Sequence, residues 1–418
     1  MRLTDEERAI RAGDAGAGAT MAMRIVLGLA RAVDAPRLLP VESAHVDGCL
    51  YHGRAGLDFA RRLVELGGQV SVPTTLNVGS LDLLHPGLVR RTADTEPARE
   101  LMDAYVALGC RPTWTCAPYQ LTHRPEFGSH VAWAESNAVA FVNSVLGART
   151  DRYGDFLDIS AAIVGRVPDA GLHRTEHRKA RLVVDVSSVS QALLDTDVGW
   201  AALGYAVGRL AGTGVPAVVG VRSAVPEERL KAFGAAAASA GGVGLFHVVG
   251  VTPEAPTLDA VWPADGAVTE TALATADLAQ VHDELSTAGT DRIDAVSLGT
   301  PHFSVAEFAE LSELLAVGGP VQQDVSCYVS TSRAVLDEVT ELGYAHLCER
   351  VGVRILVDTC TYVAPVLDPG VRVVMTNSGK WASYAPTNIG VAVVLGSLAE
   401  CVASARDGRV RRDAALWR

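Results

Sequence analysis

The chain has 418 residues, 49% of them apolar, and 48 acidic side chains outweigh 36 basic ones to give a formal charge of −12. Such a chain buries a large core in two or three domains or lobes, and its acidity argues against nucleic acid or an anionic membrane as a standing partner. The seven cysteines, at 49, 110, 116, 327, 348, 360 and 401, are irregularly spaced, and the acidic start MRLTDEERAI stands where a secretion signal needs basic residues, so a cytoplasmic protein with reduced thiols is expected.

In chain order, Thr4-Asp5-Glu6-Glu7 reads as a capping box at the first helix. A helix over 19–33 precedes a strand over 37–46, and a helix over 57–66 stops at Gly67-Gly68. QVSVPTTLN (69–77) runs from strand into loop, followed by a helix over 97–109 and a strand over 111–116. Later, RLVVDVSS precedes a helix over 199–211, PAVVGV one over 226–237, DAVSLGTPH one over 304–316 and DVSCYVSTS one over 333–350. VRILVDTC, VRVVMTNSGK and IGVAVVLGS supply the last strands before a closing helix. The stretch FGAAAASAGGVGLFHVVGVT (233–252) is long enough to span a bilayer, but its Ala/Gly half and β-rich half read as a buried helix end followed by a strand. Strands alternating with helices predict α/β lobes with mostly parallel sheets. The basic loop GLHRTEHRKARL (171–182) marks the boundary between a lobe over 1–175 and one over 180–418, the second subdivided.

Open α/β sheets bind ligands beyond the carboxyl ends of their strands. The polar residues at those tips are Thr74-Thr75-Leu76-Asn77, Thr115-Cys116, Thr300-Pro301-His302, Ser330-Thr331-Ser332-Arg333, Asp358-Thr359-Cys360 and Asn377-Ser378-Gly379-Lys380. Hydroxyls and amides cap helices everywhere, but two thiols ending two separate strands are either small buried fillers or ligands. Glu135 and Ser136 open a helix, as a cap or as an anion-side ligand pair. TNSGKW is no P-loop, since Val374 stands where the first glycine belongs, and GDAGAGAT lacks a preceding strand. HRTEH, crowded by Arg174, Arg178 and Lys179, reads as a solvated basic turn in preference to a metal site. His45 in SAHVDG is a strand-end residue or a ligand.

The blocks SAHVDGCLYHGRAGLDFA, VPTTLNVGSLDLLHP, TWTCAPYQ, AESNAVAFVNSVLGARTDRYGD, LGTPHFS, VDTCTYVAP and TNSGKWASYAPTNIG together resemble the large, catalytic part of the aconitase X family, from about residue 3 to the C-terminus. DGCLYHGRAGLDFA and LGTPHFS look like its bacterial cis-3-hydroxy-L-proline dehydratase branch. The resemblance implies an aconitase-like catalytic region of several α/β lobes around a central cleft. It implies a hydro-lyase forming Δ1-pyrroline-2-carboxylate, with mevalonate 5-phosphate or another hydroxy acid as alternative substrate. A non-catalytic iron–sulfur protein and a cysteine-nucleophile enzyme are the rivals of other classes.

By the same resemblance, Cys116 and Cys360 match iron ligands, of a [2Fe-2S] or [4Fe-4S] cluster or a mononuclear iron. Archaeal relatives tend to have cysteine where this chain has Thr300, so Cys49 and then Cys327 are the candidates for a third ligand. Gly48, Cys49, Thr75, Asn77, Glu135, Ser136 and Lys380 line the implied substrate pocket. Lys380 is the preferred carboxylate clamp and Arg333 the alternative, while Glu135 bonds the imino group or protonates the leaving hydroxyl. The family's small swivelling domain, which contributes a serine base, is expected as a separate partner subunit.

Overall fold

The computed structural model describes residues 1–222 and 224–418. It divides into two compact units, one of residues 1–81 and 91–179, the other of 82–90 and 180–418.

The first unit opens with the expected capping box: the Thr4 hydroxyl accepts the Glu7 amide at 3.2 Å and the Glu7 carboxylate accepts the Thr4 amide at 2.9 Å. Its strands are short: β1 (Leu38–Pro40), β2 (Ala44–Val46), β3 (Thr74–Leu76), β4 (Ala132–Trp133) and β5 (Arg166–Pro168). β1 pairs antiparallel with β5, whereas β3, β2 and β4 form a parallel sheet in that order. The strand expected over 37–46 is therefore two strands in different sheets. Pro40 has no amide to continue a ladder, and the Val41 and Glu42 amides turn away to the Gly165 and His130 carbonyls. Pro73 likewise delays β3, so only 74–76 of the expected strand forms. The strand expected over 111–116 does not form either. Arg111 and Thr115 donate to Thr74 and Leu76 on β3, but Pro112 has no amide and Trp114 turns left-handed at φ 43°.

The second unit holds two parallel sheets. Strands β6 (Leu182–Ser188), β7 (Pro216–Val219), β8 (His247–Val248) and β9 (Thr269–Ala274) make one, in the order β8-β7-β6-β9. Strands β10 (Ala295–Phe303), β11 (Ser326–Thr331), β12 (Val353–Val357), β13 (Val373–Thr376) and β14 (Ala392–Leu395) make the other, in the order β12-β11-β10-β13-β14. All nine residues of the central β10 are buried. Val296, Leu298 and Phe303 meet Phe308, Leu311 and Val329 in the core against it. The chain excursion 82–90 is tied to this sheet: Asp82 accepts the Val357 amide at 3.1 Å and Leu83 donates to Asp358 at 3.0 Å.

Two details differ from the sequence reading. The helix expected over 333–350 is two helices, Arg333–Glu341 and Tyr344–Val351, broken where Gly343 turns left-handed at φ 81°. The turn after 171 is solvated only in part: Thr175, Glu176 and His177 are exposed, but His173 and Arg178 are 2% and 1% exposed. His173 bonds His130 at 2.9 Å and Tyr153 at 2.5 Å, and Arg178 spans Asn143 and Leu172 at 2.9 Å. The Ala-rich stretch is the end of the helix Glu227–Ala240, packed so closely on the helix Asp197–Ala211 that a Cβ on Gly204 would lie 2.3 Å from the Phe233 carbonyl. No helix among the described residues is long and apolar enough to cross a membrane.

Candidate functional site

In the first unit the carboxyl ends of β2 and β3 carry Asp47-Gly48-Cys49 and Asn77. The buried Asp158, from the helix Leu157–Val164, organises the first of these: its Oδ2 accepts the Asp47 amide at 2.8 Å and the Gly48 amide at 3.0 Å. Asn77 Nδ2 donates to Asp47 Oδ1, which orients the amide and leaves Asn77 Oδ1 buried with no partner. Thr75 Oγ1 bonds His45 Nδ1 at 2.8 Å, while His45 Nε2 is also buried without a partner.

Glu135 is the N-cap of the helix Ser136–Ser144, accepting the Ala138 amide at 2.8 Å and the Ser136 hydroxyl at 3.3 Å. The Asn137 side-chain amide donates to Glu135 and, at 2.7 Å, to the Cys116 carbonyl. The Glu135 cap and the Cys116 loop are thus one hydrogen-bonded assembly.

Electrostatics set the protonation states. Burial, then the charge of Glu135, pushes Asp47 up to about 7, against the opposing Asn77 hydrogen bond. Burial raises Asp158 to about 6, although three backbone amides favour its carboxylate. Burial lowers His45 to about 3, so the imidazole is neutral at physiological pH.

In the second unit, the carboxyl-terminal part of β10 and the segments beyond the carboxyl ends of β12 and β13 are laced together. Ser378 caps the helix Gly379–Ile389 by accepting the Trp381 amide at 3.0 Å, and its hydroxyl donates to the Thr300 carbonyl. The Trp381 indole donates at 2.8 Å to Thr361 Oγ1, beside Cys360. Lys380 is thereby held in the first turn of a helix and is 5% exposed. His302 and Cys360 are both buried, and their ligand atoms lie within 4.8 Å of one another. Burial drops His302 to about 3. Its Nε2 faces the Thr359 carbonyl at 3.3 Å, so the neutral ring carries its proton there and its lone pair on Nδ1. The carbonyl of His302 accepts at 3.0 Å from Lys231, a buried ammonium ion-paired with Glu307. Nearby on the same sheet, the hydroxyls of Thr300, Ser330 and Thr359 are buried with no partner.

Cys116 and Cys360 share a local feature. Each follows by two residues a non-glycine residue with left-handed backbone, Trp114 at φ 43° and Asp358 at φ 63°. Strain of this kind persists only where the surroundings enforce it, and it collects at functional sites. Thiolates and imidazole form a soft donor set suited to iron or zinc.

The other candidates fare differently. Cys49 donates its thiol to backbone carbonyls, Asn77 at 3.3 Å, and burial followed by the charge of Asp47 pushes its pKa well up. Those contacts are those of a protonated, structural thiol. Cys327 pairs with Val353, the first residue of β12, and so sits at the opposite end of the sheet from Cys360; burial pushes it up to about 12. Arg333 already spends its guanidinium on Asp358, with bonds of 2.7 and 2.6 Å. His302 stood among the strand tips in the sequence without a role, and its nearness to Cys360 gives it one. Asp47, Asp158 and Lys231 left no signal beyond the Asp-Gly pair at 47–48, because only tertiary burial makes them unusual.

Family models described as aconitase X first, second and third domain match residues 1–176, 180–283 and 293–407. The chain is 41% identical over 426 residues to cis-3-hydroxy-L-proline dehydratase of Pseudomonas aeruginosa, a match covering 100% of this chain and 72% of that one. It is 38% identical over 388 residues to the phosphomevalonate dehydratase large subunit of Thermococcus kodakarensis, covering 92% of this chain and 95% of that one. The crystal structure of Thermococcus kodakaraensis aconitase X in its holo-form superposes with a TM-score of 0.86 at 36% identity, over 97% of this chain and 100% of that one.

Proposed function

The chain belongs to the aconitase X family, whose curated members are dehydratases, and on that premise we propose that it is the large subunit of an iron-dependent hydro-lyase that converts cis-3-hydroxy-L-proline to Δ1-pyrroline-2-carboxylate and water. The observation that carries the substrate assignment is the 41% identity, along the whole chain, to the Pseudomonas aeruginosa enzyme of that name. Mevalonate 5-phosphate is the second reading, supported by the archaeal large subunits. It fits less well beside Asp47 and Glu135, because carboxylates repel a phosphate.

We assign Cys116, Cys360 and His302 as the protein ligands of the iron. The buried Thr300, Ser330 and Thr359 hydroxyls without partners fit a polar inorganic group, since an apolar filling would leave them unsatisfied. When bound, iron supplies a Lewis acid for the departing 3-hydroxyl. In the elimination the proton at C2 is removed, the C3–O bond breaks and a C2–C3 double bond forms; tautomerisation then gives the imine. Lys380 pairs with the substrate carboxylate as negative charge builds there. Glu135, held ready by the Ala138 amide, bonds the ring nitrogen or delivers a proton to the leaving oxygen. Gly48, Cys49, Thr75, Asn77 and Ser136 shape the remaining wall.

A small swivelling-domain subunit supplies the serine that takes the C2 proton; the archaeal relatives named as large subunits support such a partner. The odd number and irregular spacing of the seven cysteines support a reducing cytoplasm. The lobes run over 1–175 and 180–418, the second subdivided between its two sheets. The test is co-expression with the small subunit under anaerobic conditions, then assay of both compounds. Turnover of cis-3-hydroxy-L-proline supports the proposal; turnover of mevalonate 5-phosphate alone overturns it.

A further inference from the structure

Cys360 is the third residue after β12, and the first, Asp358, is left-handed at φ 63°. A non-glycine residue stays in that region only when its surroundings enforce it. Here they act on the side chain. The buried Asp358 carboxylate accepts Arg333 Nε at 2.7 Å on Oδ1 and a terminal nitrogen of Arg333 at 2.6 Å on Oδ2. Oδ2 also accepts the Leu83 amide at 3.0 Å. The excursion 82–90 answers in kind. Asp82, itself 1% exposed, accepts the Val357 amide at 3.1 Å and closes its own turn through the Leu84 and His85 amides at 3.0 and 2.6 Å. Two buried carboxylates thus cross-bond two segments, each accepting from the other's backbone. Arg333, the first residue of the helix after β11, supplies the guanidinium that balances Asp358. The next residue, Thr359, faces His302 Nε2 through its carbonyl at 3.3 Å, so this turn also meets the other ligand assigned in the second unit.

We propose that Asp358, held by Arg333 and by the Leu83 amide, is a positioning residue that presents the Cys360 sulfur to the iron. This rests on the iron reading of the site and deepens it by naming what sets one ligand in place. A left-handed aspartate is costly, and a buried carboxylate without a cation is costlier. The bidentate pair removes the second cost. Together with the Leu83 bond it also fixes the side chain, and with it the backbone that leads to Cys360. Without Arg333 the carboxylate gains by turning toward water, the turn relaxes toward commoner backbone angles, and the sulfur leaves its place. Outer groups that orient ligands alter metal affinity by about ten- to a hundredfold.

The test follows iron in the anaerobically purified complex, by its rate of transfer to a chelator and by its absorption and paramagnetic-resonance spectra. Arg333→Leu releases iron at least about tenfold faster than wild type and shows an altered spectrum. Arg333→Leu combined with Asp358→Asn returns the rate to within about threefold of wild type, because asparagine needs no counterion, tolerates the left-handed turn and still accepts the Leu83 amide. Arg406→Leu is the comparison for stability alone. It removes bonds of 2.8, 3.0 and 3.2 Å to the Gly319, Leu314 and Leu315 carbonyls, at the end of the helix Val305–Ala316, and lowers the thermal midpoint without quickening iron release. Arg333→Gln is read in place of the leucine variant if that one does not fold. Iron release that is unchanged in the Arg333 variant, equally quickened by Arg406→Leu, or not slowed by the added Asp358→Asn overturns the positioning role. A wild-type complex that binds no iron overturns the iron reading, and this inference with it.

Discussion

Gly48 allows a sharp test of the first unit's loop. A Cβ built there lies 2.5 Å from the Tyr105 hydroxyl and 3.7 Å from Asp158 Oδ2. Ordinary contact begins near 3.4 Å, so Gly48→Ala forces an opening of about 0.9 Å between two buried elements. Neither side yields easily: Tyr105 is 1% exposed, and Asp158 holds the 47–48 backbone with two hydrogen bonds. Overpacking of this size costs about 1–3 kcal/mol, and the loop that moves is the proposed substrate wall. The expected outcome is a lower thermal midpoint and a raised KM. Tyr105→Phe removes the offending oxygen and leaves the ring Cζ at 3.5 Å, an ordinary contact. Gly48→Ala combined with Tyr105→Phe therefore recovers most of both losses, with a coupling of about 1 kcal/mol or more in the double-mutant cycle. Strictly additive effects of the two substitutions would refute the steric reasoning.

Other perturbations follow from buried charges. Lys231→Met strands the Glu307 carboxylate and the His302 carbonyl, and loses about 3–5 kcal/mol in denaturant unfolding; adding Glu307→Gln restores most of it, since a buried pair replaced as a whole costs little. The same single variant lowers iron retention, measured as iron per chain after dialysis, because it loosens the backbone that carries His302. Asp158 is raised in the folded chain from 3.8 to about 6, so the stability it contributes is full below about pH 4 and is lost as pH rises through 6. The gap in unfolding free energy between wild type and Asp158→Asn should therefore be larger at pH 4 than at pH 7, by up to about 3 kcal/mol; an unchanged gap would show that Asp158 titrates normally.

The parallel α/β architecture was legible in the sequence where strands are longer and carry several apolar, β-branched residues, as in β6, β10 and β12. It was least legible in the first unit, whose strands run two or three residues and are bounded by prolines, Pro40 ending β1 and Pro73 preceding β3. There, periodicity has too few residues to act on, and RPTWTC looks like a strand although Pro112 and the left-handed Trp114 prevent one. The candidate residues were legible as polar strand tips, a property of topology. Their protonation was not, since Asp47, Asp158, His45 and His302 owe their shifts chiefly to burial. Nor was the commitment of Arg333 to Asp358, because an ion pair between residues 25 apart depends on how the loop after β12 turns.

Most direct of all is the iron and sulfide content of the anaerobically purified complex for wild type, Cys116→Ser, Cys360→Ser and His302→Ala, read beside the rate of hydroxyproline dehydration. Wild type should retain iron and turn over; each cysteine variant should lose most of both while keeping its far-ultraviolet circular dichroism, and His302→Ala should bind iron with an altered absorption or paramagnetic-resonance signature. Full iron occupancy and turnover in either cysteine variant would contradict the assignment of those thiolates as the grip on the metal.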